Sequence, residues 1–285
     1  MASSAVKMSA VWDRAVEVMS GRTTMLVSIA ALTLWLPTVV RTAMALSVGG
    51  PATAGGVPTP GTAGLLFLVA VVVAVVTIAG QLALIAAASD PATTRNEAFA
   101  IGFRRLPLTL GLALLFGLAI FVLLIPMVVP IAAAVANPAA LTSDGMRTAM
   151  AGISAGTRGF LGIYFLVLVA IMLWLTARLA LLNPVIVNER QGVRSFARSF
   201  ALTRGLTWKI IGLAILFGVV SGVVILATQS VVGIVFRLLL GGDNAGLVLL
   251  LTTAVVAVAT SAVTIVWTVF LAQLYVATRE AHEAG

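Results

Sequence analysis

A pentapeptide and a single histidine are the first places to look for catalytic chemistry in this chain. The segment 152–156 reads Gly-Ile-Ser-Ala-Gly and matches the G-x-S-x-G pattern of serine hydrolases by letter. Ser154 lies in a predicted loop, however, without the strand, turn and helix that surround a nucleophilic serine. His282 stands in a short polar tail, where we expect it to be solvated. We therefore interpret the pentapeptide as a chance match.

Acidic residues are few and far apart, which weighs against metal chemistry. The nine Asp and Glu residues are scattered over separate loops, and cysteine is absent. Metal-assisted hydrolysis needs several carboxylates or histidines around one ion, and the chain contains neither a P-loop nor an H-E-x-x-H motif. We expect no catalytic residue, no metal and no cofactor, and hence a protein that is not an enzyme.

The composition is typical of a membrane protein. Charged residues make up 9% of the 285 residues and apolar residues 61%, whereas a soluble domain carries roughly 25% charged residues. Uncharged runs such as 106–143 and 244–278 exceed the roughly 20 residues that cross a bilayer. We predict an all-α polytopic membrane protein, a single transmembrane domain over 1–285, with six helices near 23–47, 63–88, 108–135, 159–182, 208–236 and 246–277.

Lysine and arginine indicate how the spans are oriented. If the N-terminus is inside, most of the 17 basic residues fall on inner segments, and the outer side keeps Arg41, Arg147, Arg158 and Arg237. Positive charge concentrates on the cytoplasmic side of membrane proteins. We predict a bacterial inner-membrane protein with both termini in the cytoplasm, with loops near 49–61 and 137–157 outside and loops near 90–106 and 189–207 inside.

Three inner segments share one design, an amphipathic helix followed by a hairpin of two spans. We predict amphipathic helices at 5–20, 94–106 and 191–204, and hairpins at 23–88, 108–182 and 208–277. In the third, Val193, Phe196, Ala197 and Phe200 face away from Arg194, Ser195 and Arg198. The sequences 111–117 (GLALLFG) and 212–218 (GLAILFG) indicate an internal repeat. Such helices either lie in the headgroup layer or pack on the ends of the spans.

Basic residues on the inner segments form a collar that suits anionic lipid. The basic residues are dispersed among apolar spans, so we expect anionic headgroups rather than nucleic acid as their partner. A membrane or cytoplasmic protein is a further possible partner. The predicted collar comprises Arg104, Arg105, Arg194, Arg198, Arg204 and Lys209.

One stretch resembles a known family. Residues 178–212 read RLALLNPVIVNERQGVRSFARSFALTRGLTWKIIG, with an arginine closing a span, Pro184, Glu189 before Gly192, and Ser199 before the next span. This pattern resembles the glycerophosphoryl diester phosphodiesterase membrane domain family. The resemblance implies a membrane module that some relatives fuse to a catalytic barrel. We expect that barrel to be absent, because 285 residues of mostly apolar spans leave no room for about 250 soluble ones.

The same stretch contains the predicted site, an elbow after the fourth span. Pro184 should kink or end the helix near Asn183, and Asn183 and Asn188 could then satisfy freed carbonyls. Arg178 and Glu189 lie at similar depth, so we predict that they pair or jointly hold a headgroup, fixing the third amphipathic helix. The alternative is a snorkelling arginine and a solvated glutamate. The predicted site residues are Arg178, Asn183, Pro184, Glu189 and Ser199.

Polar residues within the spans leave two functions open. Gln81, Gln229, Gln273 and the hydroxyl row of the last helix are more often packing contacts than a substrate path. No carboxylate lies inside a predicted span. We expect a non-catalytic module that interacts with lipid or organises a partner. The alternative is a facilitative permease or lipid transporter with a pathway among the six helices.

Overall fold

The structure, a computed structural model, describes residues 7–49, 60–135, 152–189, 192–241 and 244–283. Within these ranges every regular element is helical, and six stretches are long and apolar enough to cross a membrane. The chain is thus an all-α polytopic membrane protein, as the sequence predicts. The predicted loops near 49–61 and 137–157 lie mostly outside the described residues.

The spans are built from long helices with one break near the middle of the chain. The first span combines α1, a π-helical segment and α2, and the fourth combines α5 with the short α6. In chain order the elements are α1 (Met8–Ala30), the π-helical segment (Ala31–Trp35), α2 (Leu36–Gly49), α3 (Pro60–Ser89), α4 (Arg95–Val135), α5 (Ala155–Leu179), α6 (Leu182–Glu189), a 3-10 turn (Gly192–Arg194), α7 (Ser195–Leu202), α8 (Thr207–Leu240) and α9 (Ala245–Glu283).

The N-terminal and C-terminal helices meet at one end of the bundle. Arg14 Nη1 lies 3.0 Å from Glu280 Oε2, and the ring centroids of Trp12 and Phe270 are 6.2 Å apart. We call this end the termini side and the opposite end the far side. Since the spans alternate in direction, the turn between α3 and α4 and the segment from α5 to α8 also lie on the termini side.

Proline shapes the first span through the hydrogen bond that it cannot donate. Pro37 has no N–H, so the carbonyl of Thr33 lacks its usual helical partner. The backbone widens into the π-helical segment just before this proline, and the N–H of Leu36 donates to the carbonyl of Ala31. The Thr77 hydroxyl of α3 lies 3.4 Å from the Thr33 carbonyl and donates to it. A neighbouring helix thus satisfies the carbonyl that Pro37 leaves free.

The three predicted amphipathic helices differ in the structure. The first begins at Met8 and bends at Arg22, whose φ of −130° leaves the helical region. The second is not separate, which corrects the predicted boundary at 106–108: α4 continues through Pro107 to Val135. The Thr109 hydroxyl donates to the Arg105 carbonyl there, whereas the carbonyl that loses its helical partner at Pro107 is that of Phe103. The third is the distinct helix α7.

The buried core lies toward the termini side, where the helices converge. The longest continuous run of buried residues, 82–88, belongs to the end of α3. The end of α9 contributes Val269, Phe270 and Leu274, and α6 contributes Val185 and Ile186. The far halves of α4, α5 and α8 instead expose large apolar side chains such as Phe121, Ile163 and Leu226. We expect the acyl chains of lipid to cover these surfaces.

Candidate functional site

The predicted elbow is present at the end of the fourth span. Helix α5 ends at Leu179, and α6 begins at Leu182 after a two-residue turn. Pro184 occupies the third position of α6, where its missing N–H would have no helical partner in any case. The predicted break near Asn183 is therefore confirmed. Residues 184–187 are buried among the spans, with α6 contacting α3, α4 and α9.

The carbonyl of Arg178 holds α7 against the end of α5. The hydroxyl of Ser199 donates to this carbonyl at 2.7 Å, and the hydroxyl of Thr203 lies 3.4 Å from it. Ser195, Ser199 and Thr203 follow at intervals of four residues and are all fully buried. Side chains four residues apart share one helix face, so α7 turns its hydroxyl face toward the bundle.

The guanidinium of Arg178 lies between aromatic rings at the edge of the bundle. Its Cζ is 5.5 Å from the centre of the Trp174 ring and 5.8 Å from that of Phe200, both within cation–π range. Nη1 donates to the carbonyl of Phe200 at 3.2 Å. Within the described residues, the buried Nε of Arg178 and the buried hydroxyl of Ser195 have no hydrogen-bond partner. Two polar groups beside α7 are thus unsatisfied by the described part of the chain.

Glu189 pairs with a different arginine from the one predicted. Nε of Arg198 lies 3.1 and 2.9 Å from its two carboxylate oxygens, and the Tyr275 hydroxyl donates to Oε1 at 3.0 Å. In the described residues Arg178 and Glu189 do not pair, which corrects the predicted ion pair, while a headgroup held by both residues stays a prediction. The reason is that α7 places Arg198 over α6 and turns Arg178 toward Phe200. Both predicted residues nevertheless fix α7, through separate contacts.

The two asparagines of α6 have unequal roles. Nδ2 of Asn188 donates to the Pro184 carbonyl at 2.8 Å and lies 3.3 Å from the Ser89 hydroxyl of α3. The Pro184 carbonyl belongs to α6 itself, four residues before Asn188, so this contact does not satisfy a carbonyl freed by the break. Asn183 is half-buried and makes no side-chain hydrogen bond within the described residues. Its predicted role is not supported.

The basic collar divides into exposed and engaged side chains. Arg198 belongs to the pair with Glu189, and Arg105 is half-buried. The exposed members are Arg104, Arg194, Arg204 and Lys209. They are accompanied by two exposed apolar side chains, Val193 at 66% and Trp208 at 83% exposure. Cations beside exposed tryptophan are typical of the membrane interface.

Sequence reasoning missed a second set of polar contacts on the termini side. Arg22, at the bend of α1, donates to the carbonyls of Ala87, Asp90, Pro91 and Thr93. The Ala87 carbonyl belongs to the last turn of α3, where carbonyls have no helical partner, and the other three belong to the following turn. Gln273 Nε2 donates to the Ala88 carbonyl at 2.6 Å. An arginine at the start of a span is the signal that could have indicated such a cap.

The serine of the G-x-S-x-G segment has a structural role. Ser154 precedes the first residue of α5, and its hydroxyl accepts a hydrogen bond from the N–H of Thr157 at 3.1 Å. This is an N-cap, which satisfies a free donor at the helix start. Within the described ranges, no group of three His, Cys, Asp or Glu side chains could hold a metal ion.

Several residues of the stretch 178–212 shape the elbow. Gly192 and Gly205 have φ values of 59° and 84°, a left-handed conformation that glycine tolerates best. The Ser199 hydroxyl donates to the Arg178 carbonyl, and the Glu189 carboxylate accepts from Arg198 and Tyr275. No protein-family model, curated protein or solved structure matches the chain.

Proposed function

We propose that this protein is a non-catalytic module of the bacterial inner membrane that binds anionic lipid through its termini side, which faces the cytoplasm. A membrane or cytoplasmic protein held at the same surface is the related possibility. The likeness of residues 178–212 to the glycerophosphoryl diester phosphodiesterase membrane domain family agrees with such a module. We propose that kinship for the membrane part alone.

The orientation of α7 is the observation that carries this proposal. Its hydroxyl face packs on the bundle, so Ala197 and the preceding Val193 are exposed, and Phe196 and Phe200 are half-buried. Of the two alternatives for this helix, an apolar face turned outward supports insertion in the headgroup layer. Arg194, Arg204 and Lys209 would lie at the same level and attract negative headgroups.

The test replaces the exposed cations while sparing the buried pair. The triple variant Arg194→Gln, Arg204→Gln, Lys209→Gln leaves Arg198 with Glu189. Each Lys or Arg near a negative leaflet contributes on the order of 1 kcal/mol, so this variant should retain less anionic phospholipid on purification. The measurement is the ratio of anionic to zwitterionic lipid in protein extracted from membranes of known composition.

The matched control lies on the far side. The double variant Arg41→Gln, Arg158→Gln removes charge away from α7 and should keep the lipid ratio of the unaltered protein. If the triple variant retains as much anionic lipid as the unaltered protein, the collar residues determine only the orientation of the spans and do not bind lipid. Equal loss in both variants would show a general effect of net charge rather than a site.

A second candidate, a facilitative permease or lipid transporter, is favoured by a cavity between the first, second and last spans. The cavity measures about 280 Å³, and its lining is mainly apolar with polar side chains from three helices. The polar side chains are Thr38 of α2, Thr77 and Gln81 of α3, and Thr253, Thr260, Ser261 and Thr264 of α9. Gln81 makes no side-chain hydrogen bond within the described residues, so its amide is available to a neutral polar solute.

Access to this cavity distinguishes a pathway from an enclosed space. A cysteine introduced at Ser261 should react with a small membrane-impermeant thiol reagent from one side or both if the cavity belongs to a pathway. A cysteine at Thr228, which is outside the cavity lining, is the matched control. If Ser261→Cys stays unreactive from both sides in lipid while the denatured protein reacts, the permease is excluded.

A further inference from the structure

The last hairpin contains a larger cavity on the far side. It has a volume of about 540 Å³ and lies between α8 and α9. Gln229, Ser230, Gly233 and Arg237 line it from α8, at the spacing of three and four residues that defines one helix face. Thr252 of α9 lies opposite. This volume falls within the range of about 300 to 1,000 Å³ typical of small-molecule sites.

The polar groups that line this cavity have no partner among the described residues. Thr252 is only 9% exposed, and within those residues its buried hydroxyl makes no hydrogen bond. Gln229, Ser230 and Arg237 are exposed, and their side chains form no hydrogen bond or ion pair with the described residues. Because a buried hydroxyl is nearly always satisfied in proteins, Thr252 lacks a contact that a ligand in this cavity would supply. The three exposed side chains line the same cavity and would contact the same ligand.

Arg237 sets the charge of that ligand. It is the charged residue among those lining the cavity, and guanidinium groups bind phosphate and carboxylate through paired donors. An arginine in the last turn of a helix also interacts favourably with the helix dipole. That role would account for Arg237 but not for Gln229, Ser230 and Thr252. The combination points to an anion with further oxygen atoms behind it.

The depth of the cavity favours an esterified anion. Arg237 precedes the end of α8 by three residues, at the level of the headgroups. Gln229 lies eight residues before Arg237, about 12 Å deeper along the helix. We propose that the cavity binds a phosphate-bearing molecule. Its phosphate lies at Arg237, and its ester or hydroxyl oxygens lie at Gln229, Ser230 and Thr252. A phospholipid of the far leaflet and a soluble phosphate ester share this chemistry.

A single cysteine reports occupancy of this cavity without interference from lipid on the termini side. The chain has no cysteine, so Ser230→Cys places one thiol in the lining with little change of volume. Two probes are added in separate arms to the detergent-purified protein, a short-chain phosphatidylglycerol and glycerol phosphate. A probe that occupies the cavity should slow alkylation of this cysteine. Protection by phosphatidylglycerol would indicate a phospholipid as the source of the phosphate, and protection by glycerol phosphate would indicate a soluble ester.

The charge is tested in the same background. With Arg237→Gln added, about tenfold more probe should be needed for the same protection, as expected for the loss of a charge-assisted contact. Arg158→Gln, the same change at a far-side arginine outside the lining, should leave protection intact. The proposal is wrong if neither probe protects the cysteine. It is also wrong if the probes protect the cysteine equally well in the Arg237→Gln and Arg158→Gln variants.

A second measurement avoids the cysteine. In the otherwise unaltered protein, Thr252→Val removes the buried hydroxyl at nearly constant volume, and Thr228→Val removes a hydroxyl that bonds to its own helix. Native mass spectrometry should show fewer bound phosphatidylglycerol molecules, or less bound glycerol phosphate, for Thr252→Val than for Thr228→Val. Equal binding by the two variants would contradict the predicted contact with Thr252.

Discussion

Arg198 reaches back nine residues to Glu189, with Nε 3.1 and 2.9 Å from the two carboxylate oxygens. The Tyr275 hydroxyl donates to the same carboxylate at 3.0 Å. Since these residues belong to α7, α6 and α9, one carboxylate joins three helices. The side chains of Arg198 and Glu189 are 24% and 12% exposed, so water competes weakly for this pair.

The first prediction concerns the free energy of this ion pair. In a double-mutant cycle of Glu189→Gln and Arg198→Gln, we expect a coupling of about 1 to 2 kcal/mol in equilibrium unfolding in detergent. The matched pair is Arg14 and Glu280, whose side chains are 50% and 58% exposed. Its coupling should be about 0.5 kcal/mol or less, because exposed pairs are screened by water and salt. Equal coupling for the two pairs would contradict the structure.

Gly102 lies where α4 crosses α3 closely. A Cβ added at Gly102 would lie 2.5 Å from the carbonyl oxygen of Ala79 and 3.2 Å from the N of Ala83, both backbone atoms that cannot move aside. Gly102→Ala should therefore destabilise the fold by about 1 to 3 kcal/mol. Gly111→Ala in the same helix meets nothing within 4 Å and should be neutral or stabilise by up to about 1 kcal/mol. Thermal unfolding of both variants tests the crossing.

Replacement of Arg22 by lysine should destabilise the fold. Its two terminal nitrogens serve four carbonyls at the end of α3 and the following turn, whereas a lysine ammonium is a single point of charge. We expect Arg22→Lys to lower the free energy of unfolding by about 1 to 3 kcal/mol. Arg95→Lys, at an exposed position at the start of α4, is the control and should change it by less than about 0.5 kcal/mol.

The proposed orientation is tested in intact cells. Ala155 and Ala197 are both exposed, the first on the far side and the second on the termini side. A cysteine at Ala155 should react with a membrane-impermeant thiol reagent added outside, and a cysteine at Ala197 should react only after the cells are opened. The reverse pattern would invert the topology and place α7 outside.

Apolar runs and proline predicted much of the fold. The six spans follow from run length, and the break before α6 follows from Pro184. The continuity of α4 was not predictable in the same way. Pro107 reads like a boundary, yet α4 runs through it while packed on α3. Tertiary contacts thus decided between two local structures that the sequence allows.

The partners at the elbow could not be read from residue types. Hydropathy assigns Ser195 to the polar face with Arg194 and Arg198, yet Ser195 is fully buried, as is Ser199 four residues later. The Arg178 carbonyl, which accepts the Ser199 hydroxyl, is a backbone atom and leaves no trace in the sequence. Once α7 is turned in this way, Arg198 rather than Arg178 reaches Glu189. Tyr275, which donates to the same carboxylate, belongs to a helix that lies 86 residues further along the chain.

The contacts of the first helix affect how the chain is made in the cell. Val11 and Ala15 are fully buried, and α1 packs mainly on α9, which is synthesised more than 200 residues later. Arg22 likewise finds its carbonyls only after residue 93 has been synthesised. Before α9 is made, we expect the apolar face of α1 to rest in the lipid headgroup layer. Insertion of α9 then covers this face, so a ribosome that stalls before α9 leaves a nascent chain with the face of α1 uncovered.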